Sequence, residues 1–335
     1  MIPGPAIVPP AMKMPTEQLR SVPVLVTGAT GFIGGALARR LATEEGAIVT
    51  GSGRSVGKAA GLGSLGVRLE AADLRDAATM GELVQGQQIV FHVGAWLGAR
   101  DDGSAEQINV TATESLVRQA AAAGVRRFVL VSSVAAYGVP PDGPITEDWP
   151  LALDQSYDYG RTKAMGDAAA RRVAAEVGLD LVVVRPGMVH GPGGEAWTRN
   201  ILDVVRSGKP TLLGRRGHAS TLYIDNLIDL MLLMATSPDA EGAYNAVDAV
   251  MPWQRFFGYF ADHAGVRLRR VPWRVAQVLA VVAEALPLGI PLNRARLAFY
   301  RAQPTWPMDR AEALGWEIRV GEAEGFRRGV EWVGG

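Results

Sequence analysis

The 335-residue chain carries 34 Lys plus Arg against 34 Asp plus Glu, and it contains no cysteine. Balanced charge provides no long-range field for a polyanion, and no basic block marks a nucleic-acid footprint, so a small molecule is the expected partner. The missing cysteines exclude disulfides, thiolate catalysis and cysteine-ligated zinc; no metal is expected, and the expected compartment is cytoplasmic.

Met1–Pro15 holds five prolines and no continuous apolar stretch. Residues 1–20 are therefore expected to form a flexible arm, not a signal peptide. The apolar run Val22–Thr27 ends in glycines and passes into an apolar-periodic segment, Phe32–Leu41, which reads as strand, turn and helix. Further apolar runs at Ala47–Thr50, Ile89–Val93, Arg127–Val131 and Leu181–Val184 alternate with helical patterns at Asn109–Ala123 and Tyr159–Val177. Alternation of this kind predicts an α/β fold: a Rossmann-type doubly wound parallel sheet with a smaller C-terminal substrate-binding region. The dinucleotide-binding part is expected over residues 21–186 with a return segment near 219–247, and the substrate-binding part over 187–218 and 248–335. Val275–Leu292 is apolar, but Glu284, Pro287 and Pro291 interrupt it short of the roughly 20 residues a membrane span needs. It is read as a buried or substrate-covering helix.

The turn Thr27-Gly28-Ala29-Thr30-Gly31-Phe32-Ile33-Gly34 sets three glycines between the first strand and the first helix. Lacking side chains, they let the backbone approach a pyrophosphate where free N–H groups and the helix dipole favour negative charge. Gly28, Thr30, Gly31, Phe32, Ile33 and Gly34 are thus candidate cofactor residues. An NAD site places a carboxylate about 20 residues further on, to bond the ribose hydroxyls. Here the second strand ends Gly51-Ser52-Gly53-Arg54-Ser55, where Arg54 and Ser55 can donate to a 2′-phosphate. NADP(H) is therefore favoured, with NAD(H) the alternative. Asp73 and the adjoining Leu74 are placed to reach the adenine.

Tyr159 and Lys163 stand four residues apart on a predicted helix and so share one face. A phenol titrates near about 10, and a neighbouring ammonium is expected to lower that value and ease proton exchange with a substrate hydroxyl. Ser132 and Ser133 end the Arg127–Val131 strand, where ligands bind in open parallel sheets, and strand alternation does not choose between them. Trp96 and Leu97, with Trp197 further along, are candidate walls for an apolar or ring-bearing substrate.

Together these motifs resemble the extended short-chain dehydrogenase/reductase family, with the 3β-hydroxysteroid dehydrogenase-like and dihydroflavonol reductase-like members nearest. Thr27–Gly34 resembles TGxxGxxG, Phe91–Ala95 resembles HxAA, and Asn109–Thr113 resembles NVxGT. Val131–Gly138 resembles SSxxxYG, Tyr159–Lys163 YxxxK, and Arg185–Gly193 RPxxVYGPG. The resemblance implies that Ser133, Tyr159, Lys163 and Asn109 form the catalytic set, with Asn109 holding a relay water. It further implies that Val93, Gly94, Ala95, Pro186, Gly187 and Val189 line the cofactor. His190 stands where the family has tyrosine, beside the expected nicotinamide pocket, and is a candidate second proton donor and substrate contact. The implied activity interconverts a ketone and a secondary alcohol on a steroid-, terpenoid-, flavonoid- or aryl-ketone-like substrate, in a homodimer. The alternatives are an NAD-dependent 3β-hydroxysteroid-type dehydrogenase, a sugar-nucleotide epimerase or dehydratase, and a non-catalytic nucleotide-binding protein.

Overall fold

A computed structural model of the chain describes residues 18–98, 103–286 and 292–334. The strands that build its two main sheets are β1 (Pro23–Thr27), β2 (Ile48–Gly53), β3 (Arg68–Ala71), β4 (Ile89–His92), β5 (Arg127–Val131), β6 (Leu181–Pro186), β7 (Met188–His190), β8 (His218–Tyr223), β9 (Gly242–Ala246) and β10 (Ala249–Pro252). The larger sheet has seven strands, all parallel, in the order β9-β6-β5-β4-β1-β2-β3. The direction of winding reverses between β1 and β4, and a crevice for a ligand opens there at the carboxyl ends of the strands.

Central strands covered on both faces read as unbroken apolar runs, and β5 is buried along its whole length. The edge strand β3, Arg-Leu-Glu-Ala, is largely exposed and carries no such run, so it was not legible as a strand. Helices α1 (Phe32–Thr43) and α4 (Ile224–Thr236) cover one face, burying Leu37, Leu41, Leu227 and Met231 against Val24, Val26 and Phe91. Helices α2 (Ala112–Ala122) and α3 (Asp158–Val177) cover the other, burying Leu116, Val117, Ala170 and Val173 against Leu25, Val90 and Phe128. Each fully buried Leu, Val or Phe contributes about 1.5–3 kcal/mol, so these two layers hold the strand ends in place. Glycines stop both of the latter helices in left-handed backbone: Gly124 (φ 74°) follows α2 and Gly178 (φ 69°) follows α3.

At Pro186-Gly187 the chain leaves the large sheet for a three-stranded one, in the order β10-β8-β7. A side chain at Gly187 would lie 2.7 Å from the Ser220 carbonyl oxygen, so the sheets meet closely only because that position is glycine. Beyond it α5 (Trp253–Ala264) and α8 (Glu322–Gly334) enclose an aromatic cluster of Trp253, Phe256, Phe260 and Phe326.

Two expectations are corrected. Residues 18–20 do not belong to a free arm, because Leu19 is buried in the α1 side of the core and Ser21 N donates to Gly46 O at 2.8 Å. The helix expected in Val275–Leu292 is α6 (Trp273–Ala285), and it is not buried: it packs through Ala276 and Ala280 on Leu297 of α7 (Arg294–Arg301) and turns its valines outward. Among the described residues no helix is long and apolar enough to cross a membrane.

Candidate active site

The glycine turn lies directly against the end of β4. Gly28 has φ 69°, and a Cβ there would sit 2.7 Å from Gly94 Cα, while one at Gly94 would meet Leu74 Cδ1 at 3.0 Å. Thr27 ties the two strand ends together. Its Oγ1 accepts from Val93 N (3.2 Å) and Gly94 N (3.1 Å) and bonds His92 Nδ1 (2.8 Å). Gly34 is buried in α1 against the Gly28 backbone, which tightens the turn. Gly193 closes over the Phe32 ring from the far side of that crevice.

These features suit a pyrophosphate cradle, and the end of β2 suits what lies beyond it. A Cβ at Gly53 would come within 2.5 Å of Thr30 Oγ1, so a larger residue there would have to displace the Thr30 side chain, and Arg54 and Ser55 stand exposed next to it. Asp73, expected to reach the adenine, keeps its side chain 30 % exposed beside Arg75. Arg75 binds both of its carboxylate oxygens, at 3.0 and 2.7 Å, and holds the carboxyl down at about 2.

On α3, Tyr159, Lys163 and Asp167 recur every fourth residue and face the end of β5. The Tyr159 hydroxyl lies within hydrogen-bonding reach of Ser133, whose Oγ also accepts from Ala135 N at 3.1 Å. This resolves the choice between the two serines: Ser133 turns toward Tyr159, whereas Ser132 is buried with no hydrogen-bond partner for its hydroxyl. Lys163 is buried and donates to Val131 O at 2.6 Å.

The expected lowering of the Tyr159 pKa is reversed. Burial pushes it up to about 12 against the opposing Ser133 bond, and Lys163 is engaged with the strand carbonyl. Burial in turn brings Lys163 down to about 8, with the Asp167 carboxylate working against it. Tyr159 is thus a neutral phenol at neutral pH, able to donate, and Lys163 is a desolvated ammonium close to its own titration point.

Sequence reading missed the group behind Lys163. Arg185, fully buried, grips Asp167 through Nε (2.8 Å) and Nη2 (3.1 Å), and its Nη1 donates to Tyr137 Oη (2.7 Å) and Glu147 O (2.9 Å). Tyr137 Oη donates onward to Asn245 Oδ1 at 2.8 Å. The Asp167 signal was visible as a third step in the Tyr159, Lys163 spacing; its pairing with Arg185 was not.

Asn109 serves the wall of the site. It lies in a π-turn, Gln107–Thr111, of the kind that re-aims side chains at functional positions. Its Oδ1 accepts from Trp96 N (2.8 Å), and its Nδ2 donates to Thr162 Oγ1 (3.0 Å) and Trp96 O (3.4 Å). The backbone after β4 is thereby fastened to α3. Tyr157, which sequence reading passed over, is 59 % exposed and tilts its ring 5.9 Å from that of Tyr159.

The remaining candidate wall residues fare differently. Trp96 is half-buried, Leu97 projects into solvent, and Trp197 packs on the aromatic cluster below α5. His190 is corrected: it stacks on Phe326 at 4.0 Å, contacts Tyr223 and is 2 % exposed, and burial holds it neutral down to about 3. A proton donor at neutral pH needs a proton it can release, and His190 has neither the charge nor an open face. Val189 is likewise buried.

A parallel sheet with a glycine cradle at its switch point, and a Ser, Tyr and Lys set one strand away, defines the extended short-chain dehydrogenase/reductase class. The chain belongs to the NAD dependent epimerase/dehydratase family, whose description matches residues 24–248. Its members are NAD(P)-dependent enzymes acting on alcohol, ketone or sugar-nucleotide groups. Among its relatives, sterol demethylase protein B of Methylococcus capsulatus is 36% identical over 171 residues, covering 50% of this chain and only 52% of that protein. The 2-alkyl-3-oxoalkanoate reductase of Stenotrophomonas maltophilia is 33% identical over 67% of this chain and 68% of its own length. A UDP-glucose 4-epimerase of Mycolicibacterium smegmatis is 30% identical over 92% and 97%. In fold the chain matches a dTDP-glucose 4,6-dehydratase from Streptomyces venezuelae solved with NAD, with TM-score 0.75, 22% identity and coverage of 93% and 96%.

Proposed function

We propose that this protein is an NADP(H)-dependent ketoreductase that interconverts a ketone and a secondary alcohol on an apolar or ring-bearing substrate. The observation that carries the reading is the Tyr159 hydroxyl within hydrogen-bonding reach of Ser133, one helical turn from the buried Lys163, in a crevice whose second strand ends in Gly53-Arg54 and offers no carboxylate. The reductase among the relatives supports the same direction.

Bound at the glycine turn, NADPH would supply the hydride. Ser133 and Tyr159 hold the ketone oxygen between two hydroxyl donors, which fixes the carbonyl carbon and stabilises charge as it grows on oxygen. The Tyr159 proton passes to that oxygen as the alcohol forms. Lys163, swinging from Val131 O, stabilises the phenolate left behind, and solvent returns the proton. Trp96, held by Asn109, and the exposed Tyr157 ring are the proposed apolar walls for the substrate. For Arg54 the proposed role is pairing with the 2′-phosphate. The proposed assembly is a homodimer through α2 and α3, which sedimentation at the monomer mass would overturn.

The test is fluorescence titration with NADPH and NADH, followed by loss of nicotinamide absorbance with a panel of bulky ketones. Tighter binding of NADPH with ketone-dependent oxidation is the expected result. The UDP-glucose 4-epimerase relative, similar over nearly the whole chain, favours a second reading, sugar-nucleotide epimerisation. Protein that retains NAD through purification and interconverts sugar nucleotides without net oxidation would establish that reading instead.

A further inference from the structure

We propose that α6 and the arginines flanking it dock this protein onto the surface of an anionic lipid bilayer.

The packing of α6 is inverted for a helix in water. Its inward residues against α7 are the small Ala276 and Ala280, fully buried, while Val278 is 63 % exposed and Val275 and Val281 are each 48 % exposed. Leu286, just past its end, is also exposed. Residues 275, 278 and 282 fall on one side at helical spacing, and 281 adjoins them, so the outward valines form one patch. Other exposed hydrophobics, such as Ile48 and Ile318, lie elsewhere in the chain, whereas these valines adjoin one another on a single helix, and contiguous apolar surface of this kind marks a contact with something apolar.

The surrounding charge says what that something is. Between positions 265 and 308 the sequence has seven arginines, Arg267, Arg269, Arg270, Arg274, Arg294, Arg296 and Arg301, against one carboxylate, Glu284, in a chain with no net charge. Glu284 is itself taken by Arg294 at 3.0 Å. Arg274 stands on α6 itself, Arg294 pairs with its Glu284, and Arg301 lies over the ring of Trp273 at its start; an apolar stripe with arginines beside it is the pattern of a helix that lies in the headgroup layer, apolar side into the acyl boundary and cations on anionic headgroups. A second copy fits less well, because a two-fold contact sets a patch against itself and would bring arginine to arginine.

The docking does not rest on the ketoreductase reading.

The experiment is flotation of the full chain with phosphatidylcholine vesicles, with or without phosphatidylserine. Binding is expected with phosphatidylserine and not without it. Val278→Asp with Val281→Asp, both at exposed positions, should weaken binding on the order of a hundredfold. Arg274→Glu should weaken it about tenfold. Both variants should keep the wild-type melting temperature and the wild-type rate on a water-soluble ketone, which separates docking from catalysis. Absence of flotation with phosphatidylserine vesicles, or flotation unchanged by the two aspartates, would overturn the proposal. So would a stable dimer in solution that the aspartates dissociate, because the patch would then be covered by a second copy.

Discussion

Asp167→Asn tests whether the group behind Lys163 sets the chemistry as well as the fold. Arg185 is fully buried, and Asp167 supplies both of its carboxylate bonds, at 2.8 and 3.1 Å. Removing one partner of such a pair leaves a buried charge uncompensated, at a cost of about 3–5 kcal/mol. The amide oxygen and the surviving bonds to Tyr137 and Glu147 place the expected loss at the lower end, about 3 kcal/mol.

The second effect is on titration. Lys163 sits at about 8 because burial lowers it while Asp167 opposes that, so the variant should bring it lower still. In the wild type the folded value lies below that of an unfolded lysine. The unfolded chain therefore binds the extra proton between about 8 and about 10.5, and stability rises with pH across that window. In Asp167→Asn the window should open at lower pH. The basic limb of kcat/KM for ketone reduction, where Lys163 loses its proton, should move the same way.

Urea unfolding followed by circular dichroism, and a pH profile of kcat/KM, measure the two effects. Asp167→Leu combined with Arg185→Met removes both buried charges, so it should recover most of the stability yet keep the displaced limb. A loss below about 1 kcal/mol, or a limb that does not move in either variant, would refute the reasoning.

Tyr159→Phe should lower kcat by about 10²–10⁴ while leaving NADPH affinity unchanged by titration, since only the proton donor is lost. Arg54→Ala should weaken NADPH binding about 10–100-fold and spare NADH; equal losses for both would deny Arg54 a phosphate contact. Gly28→Ala should abolish dinucleotide binding and lower the melting temperature, because its φ of 69° and the 2.7 Å approach of its Cβ to Gly94 both exclude a side chain.

The features legible in the sequence are those written in short spacing. The glycine turn, the Arg127–Val131 strand and the Tyr159, Lys163 pair depend on backbone periodicity and on which residues tolerate a tight turn, and neighbouring positions encode both. Tertiary structure decided what spacing leaves open. Ser133, and not Ser132, faces Tyr159 because α3 packs on the end of β5. His190 is closed off because Phe326, from the distant α8, lies flat against it. The Tyr159 pKa goes up where a local reading sends it down, since burial by the whole fold outweighs one lysine four residues away. On α6, composition marked an apolar helix, but only packing shows that its alanines point in and its valines out. Local conformation follows from short-range sterics; burial, partners and protonation depend on residues that meet only when the chain closes on itself.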